Sequence, residues 1–197
     1  MKKQNGFSLM ELVITITVLT ILTLGVLPLV KVSVQRQKEQ ELRETLRAIR
    51  MAIDEFHRDT SGMACTGGIQ TGTGQPPPPD PRSRVMISDC TIFGIDNPDR
   101  YPPDLETLVN GVNVVPRGAP VAFGTGTKPT DMTSQLSTKQ KVYLRGMPID
   151  PMTGKADWEF RSSYDTPDAG SWGGENVFDV RSKSKATALN GEKYSDW

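Results

Sequence analysis

Residues 7–30 read FSLMELVITITVLTILTLGVLPLV, an apolar run in which Glu11 is the one ionisable side chain. About 20 apolar residues suffice for an α-helix to cross a bilayer, so the stretch reads as a membrane span. Val, Ile and Thr lower helix propensity, but in hydrocarbon the backbone must satisfy its own hydrogen bonds, which overrides that penalty. The threonine hydroxyls can bond back to the preceding turn. Lys2 and Lys3 precede the run and favour a cytoplasmic N-terminus, with the remainder outside. A secretory signal would be shorter and followed by a small-x-small cleavage site. Here a glycine, Gly6, lies before the apolar segment, so a cut after it would remove only MKKQNG and keep the span.

Beyond the span, residues 31–59 continue as an amphipathic helix. Leu42, Leu46, Ile49, Ile53 and Phe56 recur at alternating spacings of four and three and lay one stripe along one face, while Arg43, Glu44, Arg47, Arg50 and Asp54 fall largely off it. One helix from Phe7 to Asp59 would be about 80 Å long. Its first half lies in lipid and its second half packs on a domain. Gly25 and Pro28 make local unwinding plausible, since proline removes a hydrogen bond and glycine eases bending. Residues 35–41 (QRQKEQE) carry no apolar side chain and read as a solvated or subunit-facing neck.

Thr60-Ser61-Gly62 ends the helix. The sequence then turns to Gly, Thr and Pro, with four consecutive prolines at 76–79, and residues 64–97 read as an irregular surface excursion. Around residue 103 a short helix begins, with Pro103 at its first position, Asp104 and Glu106 at its positive end and Gly111 as its stop. Residues 113–140 read mostly as loop. Strand signals return in KVYLR (141–145), DWEFR (157–161) and NVFDVR (176–181), with Trp158 and Phe160 on one side. Three such strands form an antiparallel sheet over the helix stripe. The fold class is therefore α+β: a long N-terminal helix, membrane-spanning in its first half, packed on a small C-terminal antiparallel sheet with extended loops.

The chain carries 23 basic and 23 acidic residues, and loss of Lys2 and Lys3 would leave 21 against 23. No basic field exists to hold nucleic acid. Cys65 and Cys90, both outside by the charge argument, suggest a disulfide rather than two free thiols. Closing that loop contributes about 3.5 kcal/mol by chain entropy.

Gly6, Phe7, Ser8, Leu9, Met10 and Glu11 resemble the class III signal of type IV pilins and type II secretion pseudopilins: a basic leader ending in Gly, then Phe or Met, Ser or Thr, Leu, any residue, and Glu. The resemblance implies cleavage between Gly6 and Phe7 by a prepilin peptidase, N-methylation of Phe7, and assembly into a filament with Glu11 setting the subunit register. Pro28 matches the helix-disrupting proline of many members. Two further stretches are similar to GspG-type major pseudopilins: Tyr101-Pro102 with Leu105 and Leu108, and the connector at 147–154 (MPIDPMTG). Major pseudopilins commonly bind calcium in a terminal Asp- and Gly-rich loop before a final Trp. Trp197 matches, but Lys183, Lys185 and Lys193 stand where a hard cation wants oxygen anions. No metal or cofactor is expected, and a lysine or hydroxyl network takes over the loop.

Glu11 has a physical argument of its own. A charged carboxylate deep in a bilayer costs at least about 2.5 to 3.5 kcal/mol, so it must be neutralised, snorkelled or paired. The amine freed on Phe7 of a neighbouring subunit is an attractive counter-ion, accepted at one axial offset. The plainer alternative is an anchor whose glutamate sits near the interface.

Together the resemblance implies four parts: a leader (1–6), a membrane helix (7–30), its amphipathic continuation (31–59) and a periplasmic globular domain (60–197). It implies a structural subunit of a type II secretion pseudopilus in the bacterial inner membrane, self-assembling into a periplasmic filament that drives folded proteins across the outer membrane. Its partners would be the prepilin peptidase, an inner-membrane assembly platform with its ATPase motor, and minor pseudopilins. The alternatives are a type IV pilin for adhesion, motility or DNA uptake and, more remotely, a membrane-anchored enzyme or binding protein. Enzyme chemistry finds no constellation. His57 is the single histidine and reads as a solvated helix residue, while Asp165 and Asp168 read as turn formers.

Overall fold

A computed structural model describes residues 8–61, 81–117, 139–166 and 169–197. One helix dominates it. Helix α1 runs over Leu9–Thr60, 52 residues, about 78 Å at about 1.5 Å per residue. It passes through positions 25 to 28 without interruption, so the unwinding expected at Pro28 is not present in the single chain. A proline removes one rung of the ladder, and the helix on both sides carries the chain past the gap.

The second half of α1 meets the domain along the stripe read from the sequence. Leu42, Leu46, Ile49, Ile53 and Phe56 are each no more than 2% exposed. Against them lie Ile87, Leu105, Leu108, Val112, Val114, Trp158, Val177, Val180 and Tyr194. Phe56 packs edge-on against Tyr143, ring centroids 5.4 Å apart. Burial of apolar area from water at this seam is the main force joining stem and domain.

The strands form two antiparallel sheets rather than one. In the first, β1 (Val85–Ile87), β2 (Val112–Pro116) and β3 (Lys139–Lys141) lie in the order β1-β2-β3, with Ile87 opposite Val114 and Val112 opposite Lys141. In the second, β4 (Trp158–Arg161) pairs with β5 (Asp179–Ser182), Trp158 opposite Ser182. Both β1 and β5 lie against α1. Strand β1 falls inside the 64–97 excursion, and β2 from Asn113 on inside the segment read as loop. Each is three to five residues long and is held by its partner strand, so neither has room to display an alternating pattern. Of the expected strand at 141–145 only Lys141 is in β3; the Tyr143 and Leu144 N–H groups turn away to Leu108 O, at 3.0 and 2.9 Å.

Helix α2 (Leu105–Asn110) is capped by Asp104, whose side chain accepts the Thr107 N–H at 2.6 Å, so Asp104 precedes the helix and Pro103 lies outside it. Gly111 ends α2 at φ 77°, and a Cβ there would stand 2.8 Å from Lys141 O. Only glycine fits both the left-handed backbone and the approach of β3. A single 3₁₀ turn, Tyr194–Asp196, closes the chain against the helix.

Candidate assembly interface

Along the first half of α1 the described apolar side chains are bare, from 41% exposed at Val32 to 82% at Leu9. The helix has the length and hydropathy to cross a membrane, and its most apolar window is 0% buried in the fold. Its polar groups close on themselves: the hydroxyls of Thr15, Thr17, Thr20 and Thr23 donate to carbonyls three or four residues back, at 2.6 to 2.9 Å. The surface therefore offers almost pure hydrocarbon. Glu11 is the exception, exposed in the first turn, where a carboxylate suits the positive helix end. Gly6 and Phe7 lie outside the described residues, so the charge pairing expected between Glu11 and a neighbour's Phe7 amine is not tested by this chain alone.

Between the bare half of α1 and the core, a polar rail holds the C-terminal segment. The Gln35 side-chain amide donates to the Tyr194 hydroxyl at 3.1 Å, and that hydroxyl donates to Glu39 Oε1 at 2.9 Å. The same oxygen accepts the Leu189 N–H at 2.9 Å. Burial, with the Glu39 carboxylate adding to it against the Gln35 bond, holds the Tyr194 phenol above its usual pKa. Higher on the stem, the Arg43 guanidinium lies 4.2 Å from the Trp197 ring centre. Arg50 bonds Asp179 at 2.7 Å and Trp197 O at 2.9 Å. The neck is thus partly a ledge for this domain rather than wholly solvated.

That rail corrects the expected lysine or hydroxyl network of the terminal loop. Hydroxyls do contribute, through Tyr194 and through Ser182, which donates to Asp150 at 2.7 Å. Of the lysines, Lys183 pairs with Asp157 in an exposed bridge, and Lys185 and Lys193 make no ion pair among the described residues. Asp150 is fully buried and also accepts the Met152 N–H, so the 147–154 connector is tied to β5. A calcium ion does not fit the terminal loop: Glu192 is held by the Asn190 amide, and lysines flank it. Among the described residues no group of three His, Cys, Asp or Glu could hold a metal.

The far end of α1 is fixed by a second polar cluster. Asp59, 1% exposed, accepts from Ser83 at 2.5 Å, Lys141 at 2.6 Å and Tyr143 at 2.8 Å, and Lys141 also reaches Glu55 at 2.6 Å. Burial pulls the Lys141 ammonium down, but the hydrogen bonds and charges of Asp59 and Glu55 outweigh it, and its pKa is raised. Burial, then the Asp59 charge and hydrogen bond, raise Tyr143 strongly. Arg117 caps the helix, donating to Arg58 O and Ser61 O at 3.2 and 2.8 Å. His57 is half-buried rather than fully solvated: its ring stacks on Tyr101 with centroids 4.2 Å apart. Asp165 does form a turn, accepting the Ser162 N–H at 2.8 Å; Asp168 lies outside the described residues. Cys90 packs partly buried against the core and no free cysteine occurs among the described residues; Cys65 lies outside them.

Residues 1–27 match the family model for the prokaryotic N-terminal methylation motif. Comparison with curated proteins and with solved structures returns no match. The motif, the long helix and the small antiparallel sheet together support a pilin- or pseudopilin-like family, and a single-pass membrane anchor is consistent with the apolar helix.

Proposed function

We propose that this chain is a structural subunit of a type II secretion pseudopilus. The observation that carries the reading is a methylation motif placed on a helix whose first half is bare hydrocarbon while its second half is built into a domain. Such a stem is at home in a bilayer and, once extracted, in the shared core of a filament, where other stems replace lipid against the same side chains. In this reading the N-terminus is cytoplasmic and the domain periplasmic. A prepilin peptidase cuts between Gly6 and Phe7, Phe7 is N-methylated, and Glu11 pairs with the Phe7 amine of the neighbouring subunit. An assembly platform and its motor then lift subunits into a fibre in which the helix opens near Pro28. Cys65 and Cys90 form a disulfide across the outer loop.

Mass spectrometry of membrane-extracted protein tests the processing: a chain beginning at methylated Phe7 is expected, and an intact Met1 in the presence of the peptidase breaks the reading. Glu11→Ala leaves membrane insertion unchanged and abolishes filament yield. Normal yield from that variant would refute the register mechanism.

A further inference from the structure

The rail on α1 sets the height at which the C-terminal segment sits above the membrane. Gln35 and Glu39, which hold Thr187, Leu189 and Tyr194, lie about 8 and about 14 Å beyond Val30 at about 1.5 Å per residue. The headgroup layer of one leaflet is about 5 to 8 Å deep, and charges act over a further 8 Å or so at physiological salt. The segment therefore hangs within electrostatic reach of the bilayer that α1 crosses.

At this level the exposed cations outnumber the exposed acids. Lys31, Arg36 and Lys38 on the stem and Lys185 and Lys193 on the segment are exposed and make no ion pair among the described residues. Glu39 is turned onto Tyr194 and the Leu189 N–H, while Glu41, Glu192 and Asp196 stay exposed, Glu192 accepting from the Asn190 amide. Leu189, 44% exposed, projects from the same loop. The result is a basic collar on a chain with no net charge.

We propose that this collar, Lys31, Arg36 and Lys38 with Lys185 and Lys193, docks on the anionic phospholipid headgroups of the leaflet from which the domain emerges. The docked domain stands upright over the membrane before assembly, and extraction breaks the contact. The inference rests on the membrane-anchored reading above.

The test uses the full chain in vesicles of phosphatidylcholine alone or with about 30% phosphatidylglycerol, with lysine acylation by a water-soluble ester followed by mass spectrometry. Expected is slowing of about threefold or more at Lys31, Lys38, Lys185 and Lys193 in the anionic vesicles, no change at Lys155, and loss of the effect in about 0.5 M NaCl, where screening reaches only about 4 Å. The triple variant Lys31→Gln, Arg36→Gln, Lys38→Gln should restore the rates at Lys185 and Lys193. Equal rates in the two vesicles, or equal slowing at Lys155, overturns the collar while leaving the anchor standing. A chain that floats with neither vesicle breaks the anchor reading itself, and the collar with it.

Discussion

The two halves of α1 are one continuous helix with opposite relations to their surroundings. From Leu9 to Val34 the described apolar side chains point in all directions and are all exposed. From Gln35 to Thr60 the large apolar residues, the exposed Met51 apart, narrow to one stripe, which the domain covers, beside a polar rail that the C-terminal segment grips. The backbone is the same in both. What differs is who supplies the partner: the chain itself above and, under the proposed function, lipid or other stems below.

The sharpest way to break that contrast is to cut a large side chain from each half. Phe56→Ala should cost about 3 to 5 kcal/mol of domain stability in chemical denaturation of the detergent-solubilised chain. Leu19→Ala should leave the same transition within about 0.5 kcal/mol, because its side chain touches nothing the domain owns. A comparable loss at Leu19 would mean that the stem is packed on the domain after all.

Asp59→Ala is expected to cost about 2 to 3 kcal/mol, since it strands a lysine, a tyrosine and a serine around one buried site, with Glu55 still holding Lys141. The same cluster gives alkaline sensitivity. Lys141 and Tyr143 both have raised pKa values in the fold, so the folded chain keeps protons that the unfolded chain releases. Stability from these groups is present below about pH 10 and falls as pH rises further. Tyr143→Phe with Lys141→Met should flatten a plot of melting temperature against pH in that range.

Gly111→Ala comes next, with a loss of about 2 kcal/mol from left-handed backbone and from contact with Lys141 O, read as a lower melting temperature. The smallest effect sharpens the picture of the rail. Glu39→Gln should cost about 1 kcal/mol or less, yet speed hydrogen exchange across 187–197 while leaving the buried stripe protected.

The stripe was legible because helical periodicity is local: Leu42, Leu46, Ile49, Ile53 and Phe56 declare one face without reference to any other part of the chain. Trp158 was legible for a similar reason, a large apolar residue inside a short β-prone run. Strands β1 and β2 were not, because three to five residues become strand through what lies beside them. The rail was hidden more deeply. Gln35, Glu39, Arg43 and Arg50 look like ordinary surface charge, and their partners lie more than a hundred residues away. Their spacing of four, four and seven along the edge of the stripe was the one available hint, and Trp197 near them in space was not deducible from it.

Because the rail and the stripe grip the same stretch of helix, they share any load drawn along its axis. Tension applied at the foot of the stem reaches the Glu39 rung first, then the start of the stripe at Leu42 and the Arg50 rung, and last the aromatic seam around Phe56. Polar rungs can slip and re-engage, whereas the seam holds until the domain opens. The chain is thus graded like a rope whose outer strands stretch before its heart.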